Sequence, residues 1–274
     1  MDEQPICVGF IASTDQFFEI ASQVTAGKNL QVSFVNTALD DSILAGLKME
    51  HRGVEVIISR RGTATILRKN LSIPVLGVRI TPSGILENIR DAHRLGNKIL
   101  LTSFKDELLC VDVFEDFFGI DILSGEFSDA KSLRQAIVKG RETGCDVVIG
   151  GGLSMSIAHE LGMKGVELKT TKDVMNAVLE DALSVAKSNR FEQEKTSKLR
   201  AIMNATSEGI VSVDQNGRIT MINKAAQNLL KITDTSMRNR SIYDFIRSDS
   251  IASVLKTNQP IWDHLEKIGD EMFI

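Results

Sequence analysis

A chain of 274 residues holds about two domains at roughly 150 residues each. Hydrophobic residues make up 43% and charged residues 25%, the balance of a soluble globular protein, which excludes a disordered tail and a fibrous repeat. With 32 Lys and Arg against 36 Asp and Glu the formal net charge is -4, so no basic excess points to nucleic acid.

From Ile6 to about Leu168, short β-rich runs alternate with longer segments of helical period. Strands are expected at Ile6–Ile11, Gln31–Val35, Val54–Ile58, Val75–Val78, Lys98–Thr102, Asp121–Leu123, Asp146–Ile149 and Val166–Leu168. Most are unbroken apolar runs, the pattern of parallel strands covered on both faces. Helices are expected between them, among others at Thr14–Ala26, Asp41–His51, Thr63–Lys69 and Ala130–Arg141. Capping residues stand at several starts, and Gly27, Gly53, Gly96, Gly144 and Gly162 follow ends. The rhythm predicts an α/β fold with open parallel sheets. Pro74 and Pro82 bracket VLGVRIT, after which the rhythm restarts at Lys98. We therefore expect two Rossmann-like lobes with a cleft between them and a crossover helix near Ser83–Leu95. Lobe one would hold residues 1–80 plus 171–190 and lobe two residues 81–170, with the helix from Thr171 returning to lobe one.

In such sheets the ligand edge lies at the carboxyl ends of the strands. DVVIG runs into Gly150, Gly151 and Gly152 and then a helix. This turn reads equally as an anion cradle, with glycine admitting a ligand to free N–H groups, and as a tight turn needing φ > 0. Val54–Ile58 runs into Ser59-Arg60-Arg61-Gly62-Thr63. Here Thr63 is expected to cap a helix, Ser59 to place a hydroxyl at the strand end, and Arg60 or Arg61 to offer a planar donor fork to a carboxylate. Ser13 and Thr14 follow the first strand, as edge hydroxyls or as an N-cap, and Thr81-Pro82-Ser83-Gly84 stands at the crossover. The loops describe a pocket for a small polar acid.

They describe no reaction. His51, His93 and His159 sit near helix ends as solvated histidines. Neither a nucleotide-binding glycine signature nor a hydrolase elbow nor a metalloprotease motif is present. No catalytic residue, metal ligand or cofactor is therefore assigned. Cys7, Cys110 and Cys145 are scattered in apolar stretches, as core thiols of a reducing cytoplasm. No apolar run approaches the ~20 residues of a membrane span, and the acidic N-terminus is the reverse of a secretory signal. A cytoplasmic protein with no membrane partner is expected.

The stretches IISRRGTATILRKNLSIPVLGVRITPSGILENIRDA and DVVIGGGLSMSIAHELGMKGVELKTTKDVMNAVLEDAL resemble the N-terminal sensor domain of the propionate-catabolism activators, over roughly Ile6–Arg190. The resemblance implies a two-lobed ligand sensor at the front of a sigma-54-dependent transcriptional activator, and a methylcitrate-like carboxylate effector. It would take Ser59, Arg60, Gly62 and Thr63 from the first lobe and Gly150 and Gly151 from the second. Arg61 departs from the pattern, where the family commonly has glycine, and could narrow the pocket or add a contact.

Val174, Val178, Ala182 and Val185 keep helical spacing, and residues 187–205 read as a solvated connector helix. Ile210–Asp214 and Arg218–Ile222 alternate as strands around Gln215-Asn216-Gly217, with its Asn-Gly signal of a tight hairpin, and Asn223 caps a helix. Residues 206–274 resemble the N-terminal part of a PAS (α+β) domain, with SIYDFI as its following short helices. Only two of five strands are evident, which would leave an unpaired edge, so the chain reads as a fragment of a longer regulator. DNA and the sigma-54 polymerase would be met only through domains outside it, and a homodimer through the connector helix or the PAS segment is expected. Two alternatives stand: a small-acid racemase or isomerase of two-lobed type, marked by paired Cys or carboxylates, and the sensor module of a histidine kinase.

Overall fold

A computed structural model describes residues 4–105, 119–230, 240–246, 248–257, 259–262, 266–268 and 271–273. The chain divides into two compact units, Met1–Asn189 and Arg190–Ile274.

The first unit contains two four-stranded parallel sheets. One is built from β1 (Ile6–Ala12), β2 (Leu30–Asn36), β3 (Val56–Arg60) and β4 (Val75–Val78), in the order β2-β1-β3-β4. The other uses β5 (Lys98–Phe104), β6 (Asp121–Phe127), β7 (Val147–Gly150) and β8 (Lys164–Glu167), in the order β6-β5-β7-β8. The two orders are the same. In each, the chain reverses its direction of travel between the first and third strands, and this switch point opens a crevice at the carboxyl edge.

Both faces of each sheet are covered, which is why the strands read as continuous apolar runs. In lobe one, Val8, Phe10 and Ile58 pack with Phe17 and Ala21 of α1 (Asp15–Thr25). On the opposite face Ile11 and Ile57 meet α2 (Ser42–His51) through Met49 and α3 (Arg61–Arg68) through Leu67. In lobe two, Ile99, Leu101 and Ile149 pack on α4 (Pro82–His93) through Ile85 and Ile89. Leu100 and Val148 face α5 (Ala130–Glu142) and α6 (Gly152–Glu160). The long α7 (Lys172–Ala205) buries Met175, Leu179, Ala182 and Ala186 in the lobe-one core beside Phe10 and Phe17.

Several starts differ in detail from the expectation. Thr81 caps α4, its hydroxyl accepting the Gly84 N–H at 3.2 Å, and Asp129 and Ser132 form a reciprocal capping box on α5. Thr63 caps nothing: α3 starts earlier, at Arg61, and the Thr63 hydroxyl accepts the Leu39 N–H at 3.0 Å instead. Thr14 holds the capping position of α1 without making the capping hydrogen bond. Cys145 is buried, Cys7 is half-buried with its thiol on Gln31, and Cys110 lies outside the described residues.

In the second unit β9 (Val211–Val213) and β10 (Ile219–Ile222) form an antiparallel hairpin. Asp214 pairs with Arg218 across a three-residue loop in which Gly217 is left-handed (φ 73). Among the described residues Asn216 has no positive φ, so the loop is not the two-residue turn that Asn-Gly signals. Asn223 caps α8 (Lys224–Leu229) by accepting the Ala226 N–H at 2.9 Å. That side chain also accepts the Ile210 N–H at 2.8 Å and donates to the Met203 and Glu208 carbonyls, both at 2.8 Å. After α9 (Asp249–Thr257) come β11 (Glu266–Ile268) and β12 (Glu271–Phe273), an antiparallel pair beyond the two strands expected here. Three-residue strands rich in Glu and Lys carry too little β-branched or alternating pattern to be read in advance.

Candidate functional site

The crevices of the two lobes face one another across a cavity of about 100 Å³ that is partly open to solvent. Lobe one supplies Ser13 after β1, Arg60 to Thr63 at the end of β3, and Arg79 after β4. Lobe two supplies Thr102 and Phe104 from β5, Gly151 and Gly152 after β7, and Lys169 and Thr170 after β8. Four cationic side chains, Arg60, Arg61, Arg79 and Lys169, line this space, and no Asp or Glu does among the described residues. The helix starts of α3 and α6 lie there as well, each adding a positive dipole end.

Arg60 is the most constrained of the four. It is the extended residue that leads into α3, and its guanidinium lies 5.9 Å from the Phe17 ring centroid. Its Nη2 reaches the Glu167 carboxylate at 3.4 Å, while its buried Nε has no hydrogen-bond partner. Burial lowers its pKa from the usual arginine value, and the Glu167 charge opposes that shift. Behind it, Arg68 donates from Nε to the Val75 carbonyl at 2.7 Å. The Arg68 pKa is lowered by burial and then by the like charges of Arg61 and Arg79.

Of the residues expected at the site, Ser13, Arg60, Gly62, Thr63 and Gly151 line the cavity. Ser59, Thr14 and Gly150 do not. Ser59 is fully buried and donates to the Ile11 carbonyl at 2.6 Å, which ties β3 to β1. Side chains alternate along a strand, so Ser59 and Arg60 cannot both face the crevice. Gly150 is glycine for packing: a Cβ there would lie 2.5 Å from the Ser154 side chain. Thr14 lies against α6, its methyl 2.6 Å from where a Cβ on Gly152 would stand. Its hydroxyl is buried without a partner.

The lobes touch through glycines. A Cβ at Gly152 would meet the backbone and hydroxyl of Ser13, the latter at 2.9 Å, and one at Gly62 would meet the Phe104 ring at 2.7 Å. Arg79, Lys169 and Glu167 were not singled out from the sequence, because a charge at a strand end reads as solvated. The strand-end rule that picked Arg60 applies equally to them.

His51, His93 and His159 are all exposed, and Cys7 and Cys145 do not line the cavity. Among the described residues no group of three or more His, Cys, Asp or Glu is placed to hold a metal ion. No helix among them is long and apolar enough to cross a membrane.

The two-lobed plan has solved counterparts. The crystal structure of an NtrC family transcriptional regulator from Clostridium acetobutylicum superposes with a TM-score of 0.65 at 19% identity. The match covers 68% of this chain and 100% of that one, which establishes a shared fold. The E. coli DhaR(N)-DhaL complex (22% identity, TM-score 0.29) matches over 44% of this chain and 36% of its own. The Lactococcus lactis transcription regulator CcpA (11%, 0.40) matches over 67% and 92%. Both superpose too loosely to bear on function. The family model for the PAS fold matches residues 197–269. The model described as propionate catabolism activator matches residues 26–192, more than half of the sequence, and the chain therefore belongs to the propionate catabolism activator family.

Proposed function

We propose that the chain is a sensor module of a transcriptional activator, and that it binds a small carboxylate, methylcitrate-like in charge and size, between its two lobes. The observation that carries this reading is the cavity ringed by Arg60, Arg61, Arg79 and Lys169, with no acid among its described lining residues. Arg60 has a buried Nε to offer a carboxylate, Ser13 and Thr63 line the space beside it, and Gly151 leaves the backbone approachable. Ser59, Thr14 and Gly150 support this wall through packing and lie outside the contact set we assign to the ligand.

A ligand that bridges the lobes favours the form in which they touch, and it shifts that equilibrium only by its differential affinity for the two forms. Leu168, Lys169 and Thr170 line the cavity and lead directly into α7, whose inner face packs in lobe one. A change in lobe spacing is therefore felt at the root of α7, and we take this helix as the output toward the PAS segment. Phe191, Leu199 and Ile202 are exposed along its far half, and we assign them to pairing with a second copy in a homodimer.

The reading makes the chain a binding module of the cytoplasm with no chemical step of its own. Titration calorimetry with citrate, 2-methylcitrate and tricarballylate, with glycerol as a neutral control, tests it. Binding of at least one acid, its recovery unchanged, and no response to glycerol are expected. Silence from all three acids with a folded protein overturns the proposal, and turnover of any of them favours the isomerase reading.

A further inference from the structure

Arg60 and Glu167 belong to different lobes, at the ends of β3 and β8. Glu167 is fixed by its strand: it stands opposite Gly150 in the β7–β8 register, and the next residue, Leu168, donates its N–H to the Gly150 carbonyl at 2.8 Å. Its carboxylate thus comes from the same strand pair that carries the glycine turn, and it reaches across to the guanidinium of lobe one.

The contact is slack and one-sided. At 3.4 Å it is longer than the ~2.7–2.9 Å of a well-made charge-assisted bond. It engages Nη2 alone, although Nε and Nη2 form one edge of the guanidinium and a carboxylate seated squarely on that edge would take both. The Nε on this edge is buried and without a partner. An edge half-filled by a protein carboxylate, on a residue lining a cationic cavity, is an edge over which two anions can compete.

We propose that Glu167 is an internal stand-in for the ligand's carboxylate: it ties the lobes through Arg60 in the empty protein and yields that edge when an external acid binds. The second half rests on the acid-binding reading above; the first does not. Glu167 is then a positioning residue that sets the threshold of the sensor. It holds the lobes near the touching form without ligand, and any acid binds with its affinity reduced by the exchange. Only an acid able to seat on Nε and Nη2 together gains enough to displace it, which selects carboxylates over singly contacting anions such as chloride.

The experiment uses the whole 274-residue chain with two variants, Glu167→Gln and Arg60→Gln, and two readouts. Without ligand, hydrogen exchange by mass spectrometry at the amides of residues 62–65 and 152–155 reports how firmly the lobes touch. Faster exchange, at least severalfold, is expected in both variants. Calorimetry with citrate should then separate them. Affinity rises about two- to fivefold in Glu167→Gln, the order of a partly exposed ion pair, because freeing the guanidinium edge outweighs the slacker lobe contact, and is lost in Arg60→Gln. If Glu167 merely supports Arg60, Glu167→Gln loses citrate as Arg60→Gln does, and the proposal is overturned. Unchanged exchange in Glu167→Gln overturns it as well. Faster exchange with no citrate binding by any of the three proteins supports the tie and refutes the acid reading instead.

Discussion

The close approach of the lobes at Gly152 gives a direct handle on their spacing. In Gly152→Ala the new methyl would stand 2.6 Å from Thr14 Cγ2 and 2.9 Å from Ser13 Oγ, with the Ser13 carbonyl oxygen closer still. Ordinary contact begins near 3.4 Å, so a gap of roughly 1 Å must open. The Ser13 carbonyl belongs to the turn between β1 and α1 and cannot swing aside as a side chain would. The lobes part instead, at a cost of about 1–3 kcal/mol for an overpacked contact. That lowers the population of the touching form, and the apparent affinity for citrate, by about 5–150-fold. Folding itself should not suffer, since alanine at the first position of α6 favours the helix over glycine by up to ~1 kcal/mol. Calorimetry with citrate, small-angle scattering and a thermal melt check the three parts. The companion Gly62→Ala meets the Phe104 ring, which can rotate, and should show a smaller loss. Citrate affinity within twofold of wild type in Gly152→Ala, with the melt unchanged, would refute the reasoning.

The remaining predictions concern single side chains. Arg60→Met should abolish citrate binding yet melt at or above the wild-type temperature, because it removes a buried Nε without a partner, an omission costing about 1–3 kcal/mol; a clear drop in a thermal melt argues against that account. Asn223→Ala should destabilise the second unit by about 1–3 kcal/mol, since it removes a cap and strands the buried Ala226 N–H and three partly buried backbone groups; urea titration followed by circular dichroism measures it. The Asp129 carboxyl is held below its ordinary pKa, first by the Ser132 backbone N–H. A depressed folded value means stability present above the unfolded pKa and lost as pH falls through the folded one. Asp129→Ala should therefore lower the melting temperature at pH 7 and much less at pH 3, and equal losses at both would discount the charge.

The α/β plan was legible because strands covered on both faces read as unbroken apolar runs, as β1 does throughout, β3 over Val56–Ile58 and β5 over Ile99–Leu101. The presence of two sheets was legible from the restart of the strand–helix rhythm after the break at Pro74–Pro82. Site residues were legible only where chain geometry forced them. Glycines at Gly62 and Gly151 and the arginine beside them reached the cavity. Ser59 was misjudged because composition says that a hydroxyl sits at a strand end but not which face it takes. Thr63 reached the cavity, and only the helix cap expected of it failed, because its partner, the Leu39 N–H, is remote in sequence. Glu167 escaped because only the folded pair of sheets reveals that a carboxylate after one strand meets a guanidinium after another.

The Asn223 amide has a mechanical corollary. One rigid planar group grips the carbonyl near the end of α7, the loop before β9, the entry to β9 and the first turn of α8. Torque applied to that helix end cannot be absorbed by a flexible joint, because the amide would have to surrender several bonds at once. Under the relay proposed above, rotation of α7 would therefore be handed on to the hairpin whole, like a key turning its lock.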